Sequence, residues 1–158
     1  MARNYSPRYR ETIGALSAPE SPLLLLQIDH PDLAAPIRVV CDTQDVTSGG
    51  NLYQALACSA TVPDDQQGQQ PQGQLAIDNV GRDLVQWLEI SQGGLGATAT
   101  FSEILRSDPD HIEWTATMDL LGIRVNSSKV TARLGYYDML NQQAVGIQYR
   151  PDTAPGLF

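Results

Sequence analysis

Acidic and imidazole side chains gather at two places in the chain. Asp29, His30 and Asp32 surround Pro31, and Asp108, Asp110 and His111 surround Pro109, with Asp42 and Asp45 in between. Converging oxygen ligands are what a hard cation needs, and a carboxylate beside an imidazole is what proton transfer needs. Neither pattern is complete. Zinc takes about four ligands at defined spacing, no Gly-x-Ser-x-Gly elbow presents a serine, and His30 and His111 are the only histidines. Gly93-Gly94-Leu95-Gly96 lacks the lysine and hydroxyl of a phosphate cradle. The carboxylates therefore read as turn residues at strand ends, and no catalytic residue, metal ligand or cofactor is assigned. Trp87, Tyr136, Tyr137 and Asp138 are the side chains that could line a carbohydrate-binding surface, although aromatic residues of a β domain more often serve core or interface.

Composition narrows the field further. A chain of 158 residues fits one domain able to bury its own core. Only 18% of it is charged and the formal net charge is -8, with ten Lys and Arg residues spread along it, which argues against a nucleic-acid groove. The longest apolar run, Leu23-Leu24-Leu25-Leu26, is far too short to cross a bilayer, and no signal-peptide pattern follows the start, so nothing points to secretion or membrane anchoring. Cys41 and Cys58 fit a reducing compartment and read first as small core or strand residues, with a cross-strand disulfide as the alternative.

The elements that would position these groups are mostly short strands. The chain is organised around residues 73–88, where Leu75 and Ile77 alternate at strand period before Val80, Leu84 and Leu88 recur at helical period beside Trp87. Upstream, residues 6–16 predict a helix with Ser6 as its cap, Pro7 at its first position, and Tyr9, Ile13 and Leu16 along one side. That stripe is thin and a Pro19-Glu20-Ser21-Pro22 break follows, so residues 1–20 read as an arm that docks on this domain or on a neighbour. The strand over 23–30 is apolar on both faces at its start, which calls for core on one side and a helix or a subunit on the other. Residues 37–41 and 52–61 predict a hairpin around a turn at Gly49-Gly50. The segment 63–73 is rich in glutamine, has no apolar anchor, and reads as an exposed loop that a partner could order.

The second half alternates repeatedly. A strand over 97–105 leads to a turn over 106–110. Residues 111–120 then place Ile112, Trp114, Ala116, Met118 and Leu120 on one face and His111, Glu113, Thr115, Thr117 and Asp119 on the other. Residues 129–136 and 142–149 continue the pattern. The predicted fold is mainly β, an antiparallel sandwich or partly open barrel, with one internal helix packed on the sheet and an N-terminal helical arm. Residues 150–158 form a C-terminal extension ending on Leu157 and Phe158, an odd pair to leave exposed.

Three stretches carry a resemblance to a known family: Ser21-Pro22-Leu23-Leu24-Leu25-Leu26-Gln27-Ile28-Asp29-His30-Pro31 with Pro36-Ile37-Arg38-Val39-Val40, then Leu75-Ala76-Ile77-Asp78-Asn79-Val80-Gly81-Arg82, and Tyr149-Arg150-Pro151 closing on Pro155-Gly156-Leu157-Phe158. In order and spacing they resemble small tail-associated proteins of long-tailed, siphovirus-type bacteriophages. Thr153-Ala154 departs from that pattern, where family members often have a second proline or an aromatic. The resemblance implies a virion structural component of the distal tail tip that assembles as a homo-oligomeric ring, without catalytic residues or cofactors. Its partners would be distal tail, hub and tape-measure proteins, with no specific nucleic-acid binding. Interface residues under this reading are Tyr9, Ile13 and Leu16 in the arm, Gln67 and Gln70 in the loop, and Leu157 and Phe158 at the end. The alternative is a carbohydrate- or receptor-binding tail-tip module.

Overall fold

The computed structural model describes residues 5–61, 73–78, 94, 96–126 and 128–135. The expected internal helix with Trp87, the loop containing Gln67 and Gln70, the strand over 142–149, and Tyr136, Tyr137, Asp138, Leu157 and Phe158 lie outside those residues.

Ser6 caps a short helix, α1 (Pro7–Gly14), by accepting the Tyr9 N–H on its hydroxyl, and Pro7 occupies the first turn, where its missing N–H costs no hydrogen bond. Nine strands follow among the described residues: β1 (Leu23–Asp29), β2 (Ile37–Val40), β3 (Val46–Ser48), β4 (Asn51–Ala55), β5 (Cys58–Thr61), β6 (Gly73–Asp78), β7 (Thr98–Leu105), β8 (Asp108–Val125) and β9 (Lys129–Gly135). They form one sheet in the order β3-β4-β2-β1-β7-β8-β9-β6-β5, with β2 and β4 parallel and the other neighbours antiparallel. The protein is thus mainly β, with an open, unclosed sheet and an N-terminal helix. No helix among the described residues is long and apolar enough to cross a membrane.

The sheet is strongly curled. Ile28 of β1 and Leu75 of β6 are separated by three intervening strands in the ladder, yet they border the same small cavity with Leu120 and Val130. One core fills this curl, built from Leu26, Ile28, Val39, Leu75, Ile77, Phe101, Met118, Leu120, Val130 and Leu134 among others. A second core lies on the opposite face of β1, where Leu23 and Leu25 pack with Val40, Val46 and Ile104 under Tyr53 and Ala55. Strand alternation sends Leu23 and Leu25 one way and Leu26 and Ile28 the other, so the four-leucine run serves both cores. The second cover of this strand, expected to be a helix or a subunit, is corrected to the β3–β4 hairpin of the same chain, which supplies Val46, Tyr53 and Ala55. Its tip reaches β8, where the Gly49 N–H donates to Asp110 Oδ1 at 2.8 Å.

Several expectations are corrected. The hairpin at Gly49-Gly50 joins β3 to β4, with φ of 55° and 75° at the two glycines, rather than joining the strands over 37–41 and 52–61. Instead β2 pairs with β4 in parallel, the chain breaks at Leu56-Ala57, and β5 crosses to pair with β6. Because that crossing carries Cys58 back to the end of β2, Cys41 and Cys58 form a disulfide with Cα atoms 5.0 Å apart, instead of standing as separate thiols. The turn expected over 106–110 is confined to Arg106-Ser107, and Asp108, Pro109 and Asp110 already belong to β8. Alternation along β8 holds from Trp114 onward but is reversed before it: Ile112 is exposed and Glu113 buried. The cause is a β-bulge, because Glu103 faces Trp114 while its neighbour Ile104 faces Ile112, leaving Glu113 as the extra residue.

Candidate functional site: a clasp for the N-terminal arm

Displaced inward by the bulge, the Glu113 carboxylate meets the start of α1. Ser6 N donates to Glu113 Oε2 at 2.8 Å and Ser6 Oγ to Oε1 at 2.6 Å, a two-point grip that fixes both position and direction of the helix start. One turn on, the Tyr9 hydroxyl donates to Glu103 Oε2 at 2.6 Å. Glu103 lies on the Phe101 side of β7, which faces the larger core, so α1 crosses that face near the β7–β8 turn. The Tyr9 ring is buried, with Tyr5 stacked on it at 4.6 Å between centroids. Burial, followed by the bond to the Glu103 carboxylate, drives the Tyr9 hydroxyl's pKa well above the ordinary tyrosine value, since ionising it would place one anion against another in a poorly solvated site.

The segment after the helix is held as well. Glu20 accepts the Ser107 hydroxyl at 2.6 Å and the Ser107 N–H at 3.0 Å, and lies 3.4 Å from the Arg8 guanidinium. The Ser107 hydroxyl bond is the main reason its carboxyl is held below the usual range. Beside it Arg106 pairs with Asp42, whose carboxyl is also lowered, chiefly by the Thr43 N–H and then by Arg106. The two-residue β7–β8 turn therefore ties the arm's linker to the loop after β2.

Of the predicted interface residues, Tyr9 is the anchor and the other two described ones face out. Ile13 is 57% exposed and Leu16 fully exposed. The side of the helix that this domain covers carries Tyr9 and Thr12, and the helix, expected to run to Leu16, ends at Gly14 and leaves Leu16 beyond it. Thr12 lies under the helix with its hydroxyl bonded to the Arg8 carbonyl at 3.0 Å. Gln67, Gln70, Leu157 and Phe158 fall outside the described residues.

Chemically, the grouping of Ser6, Glu113 and His111 is ordered for anchoring. Ser6 Oγ donates to the carboxylate and accepts from Tyr9 N, while His111 Nε2 lies 3.8 Å from the same carboxylate, so the imidazole meets the acid rather than the hydroxyl. The acidic turn residues are occupied locally: Asp45 Oδ1 accepts the Ala55 N–H, Gln27 donates to Asp29 Oδ2, and Asp110 holds the hairpin tip. No group of three metal-ligating side chains occurs among the described residues. Sequence reading placed Glu113 in solvent, because a bulge leaves no mark on alternation. Pro109, which weakens the ladder two residues into β8, was the available hint.

No curated protein matches the chain. The model of the family described as a domain of unknown function, DUF1833, matches residues 8–149, which include Tyr9, Glu103 and Glu113 of the clasp and all nine described strands, and the chain belongs to that family.

Proposed function

We propose that the protein is a structural component of a bacteriophage tail tip, forming or joining a ring near the distal tail and hub proteins. The observation that carries this reading is the arm: the buried Glu113 and the half-buried Glu103 fix its start while Ile13 and Leu16 are held outward in water. An apolar surface presented by an anchored segment suits contact between subunits, and repeated copies of such a contact close into rings. The resemblance of the 21–40, 75–82 and 149–158 stretches to siphovirus tail proteins supports the setting, and a net charge of -8 suits a wall past which DNA moves without adhering.

Light scattering and chemical crosslinking of the full chain across a concentration series test the reading. Self-association that Ile13→Asp with Leu16→Asp weakens by about tenfold or more, with thermal unfolding unchanged, supports it. A monomer at all concentrations, or an oligomer indifferent to both substitutions, contradicts the role given to the arm.

A further inference from the structure

A second surface lies across β5, β6, β9 and the end of β8, on the side away from the larger core. Strand register sets two rows on it: Ser59, Ala76, Thr131 and Arg124 in one, Thr61, Gln74 and Arg133 in the next. The short side chains of the first row leave a groove of about 480 Å³ bordered by Gln74, Arg124 and Arg133. A bulge in β8 between Leu121 and Arg124 places Gly122 there with φ +58°. A Cβ at Gly122 would lie 3.1 Å from Arg133 Nη2, so the guanidinium rests against main chain that only glycine leaves bare.

Among the described residues the charges at this groove are unbalanced. Arg8 pairs with Glu20 and Arg106 with Asp42, whereas neither Arg124 nor Arg133 has a carboxylate partner among the described residues. That is a marked placement in a chain with 18 acidic and 10 basic residues. Arg133 sits two residues along β9 from Thr131, the cross-strand partner of Arg124, so the arginines are offset by about 6.8 Å along the strand direction. An extended peptide with acidic residues two apart presents carboxylates at the same ~6.8 Å repeat on one face. Each guanidinium can fork onto one of them, and the hydroxyls of Ser59, Thr61 and Thr131 with the Gln74 amide offer hydrogen bonds to a peptide backbone.

We propose that this groove binds an extended acidic segment of another polypeptide, through carboxylates two residues apart on one face. The phosphates of a nucleic acid would meet the repulsion of the chain's net charge of -8, whereas a short acidic segment needs only the local pair of arginines. The groove's chemistry does not depend on whether the protein acts in a phage tail.

Fluorescence anisotropy with the full chain and a labelled octapeptide of alternating Glu and Thr tests this, with the Gln-Thr peptide and labelled oligothymidylate as comparison arms. Saturable binding of the acidic peptide, absent for the Gln-Thr peptide and weakened at least ~10-fold by Arg124→Gln with Arg133→Gln, is the expected result. Arg10→Gln, at an exposed arginine remote from the groove, should change it less than ~2-fold. Arg133→Lys keeps the charge but not the fork and should weaken binding ~3-fold or more, which preserves the test if the double variant does not fold. No saturable acidic-peptide binding, an equal loss on Arg10→Gln, or preferential binding of the oligothymidylate would each overturn the proposal.

Discussion

Removing the Cys41–Cys58 bridge tests how the curled sheet is closed. In ladder order β2 and β5 stand far apart, so the disulfide joins two parts of the sheet that no strand pairing connects directly. The cysteines are 17 residues apart, and for a loop of that length chain-entropy reasoning gives about 10 cal/mol/K lost from the unfolded state, or about 3 kcal/mol at 25 °C. A domain of this size should then lose roughly 6–12 °C in Tm. The fold itself should persist, because the same seam carries Leu56 N to the Val40 carbonyl at 3.1 Å and Asp78 N to the Ala57 carbonyl at 2.9 Å. Urea titrations of the oxidised protein, the reduced protein and Cys41→Ser with Cys58→Ser measure the difference. Two weakened forms that agree with each other, with native far-ultraviolet dichroism retained, are expected. A difference under about 1 kcal/mol would refute the reasoning that the bridge constrains the open chain.

Tyr9→Phe removes the hydroxyl that donates to Glu103 and should cost about 1.5–3 kcal/mol, read by urea titration. Because the folded-state pKa of Tyr9 is raised, the unfolded chain loses this proton first. Its contribution is therefore complete below about pH 10 and lost as pH rises beyond it, and the alkaline limb of a stability–pH curve should flatten in Tyr9→Phe. Glu20 and Asp42 have the opposite sign: their lowered carboxyls add stability above about pH 4 that disappears as pH falls further, so Ser107→Ala should shallow the acid limb. Gly122→Ala should cost about 1–2 kcal/mol by thermal unfolding. Most of that is the left-handed backbone, since the atom its Cβ approaches is the movable end of Arg133.

Much of the fold was legible because alternation is a strong local signal. Leu75 with Ile77, and Val130 with Ala132 and Leu134, are buried as the strand period requires. Ser6 and Pro7 announced the helix start through their own chemistry. What escaped were consequences of pairing between distant segments. The bulge at Glu113 depends on how β8 meets β7, the disulfide on where β5 finds a partner, and the parallel β2–β4 pair on the fold-over of a hairpin whose tip the glycines did mark. The clasp combines both kinds of information. Its helix half, Ser6 and Tyr9, was readable, while its carboxylate half exists only once the sheet has formed.

The most direct test of the proposed role, that this chain works in a tail tip through contacts with other polypeptides, is cryo-electron microscopy of intact long-tailed phage particles produced in cells that express the protein, with tail-tip density fitted to the curled sheet. A closed ring of copies, with Ile13 and Leu16 buried against a neighbouring subunit, is the predicted result. Particles that lack the protein, or that hold it with both residues still in solvent, would contradict the account.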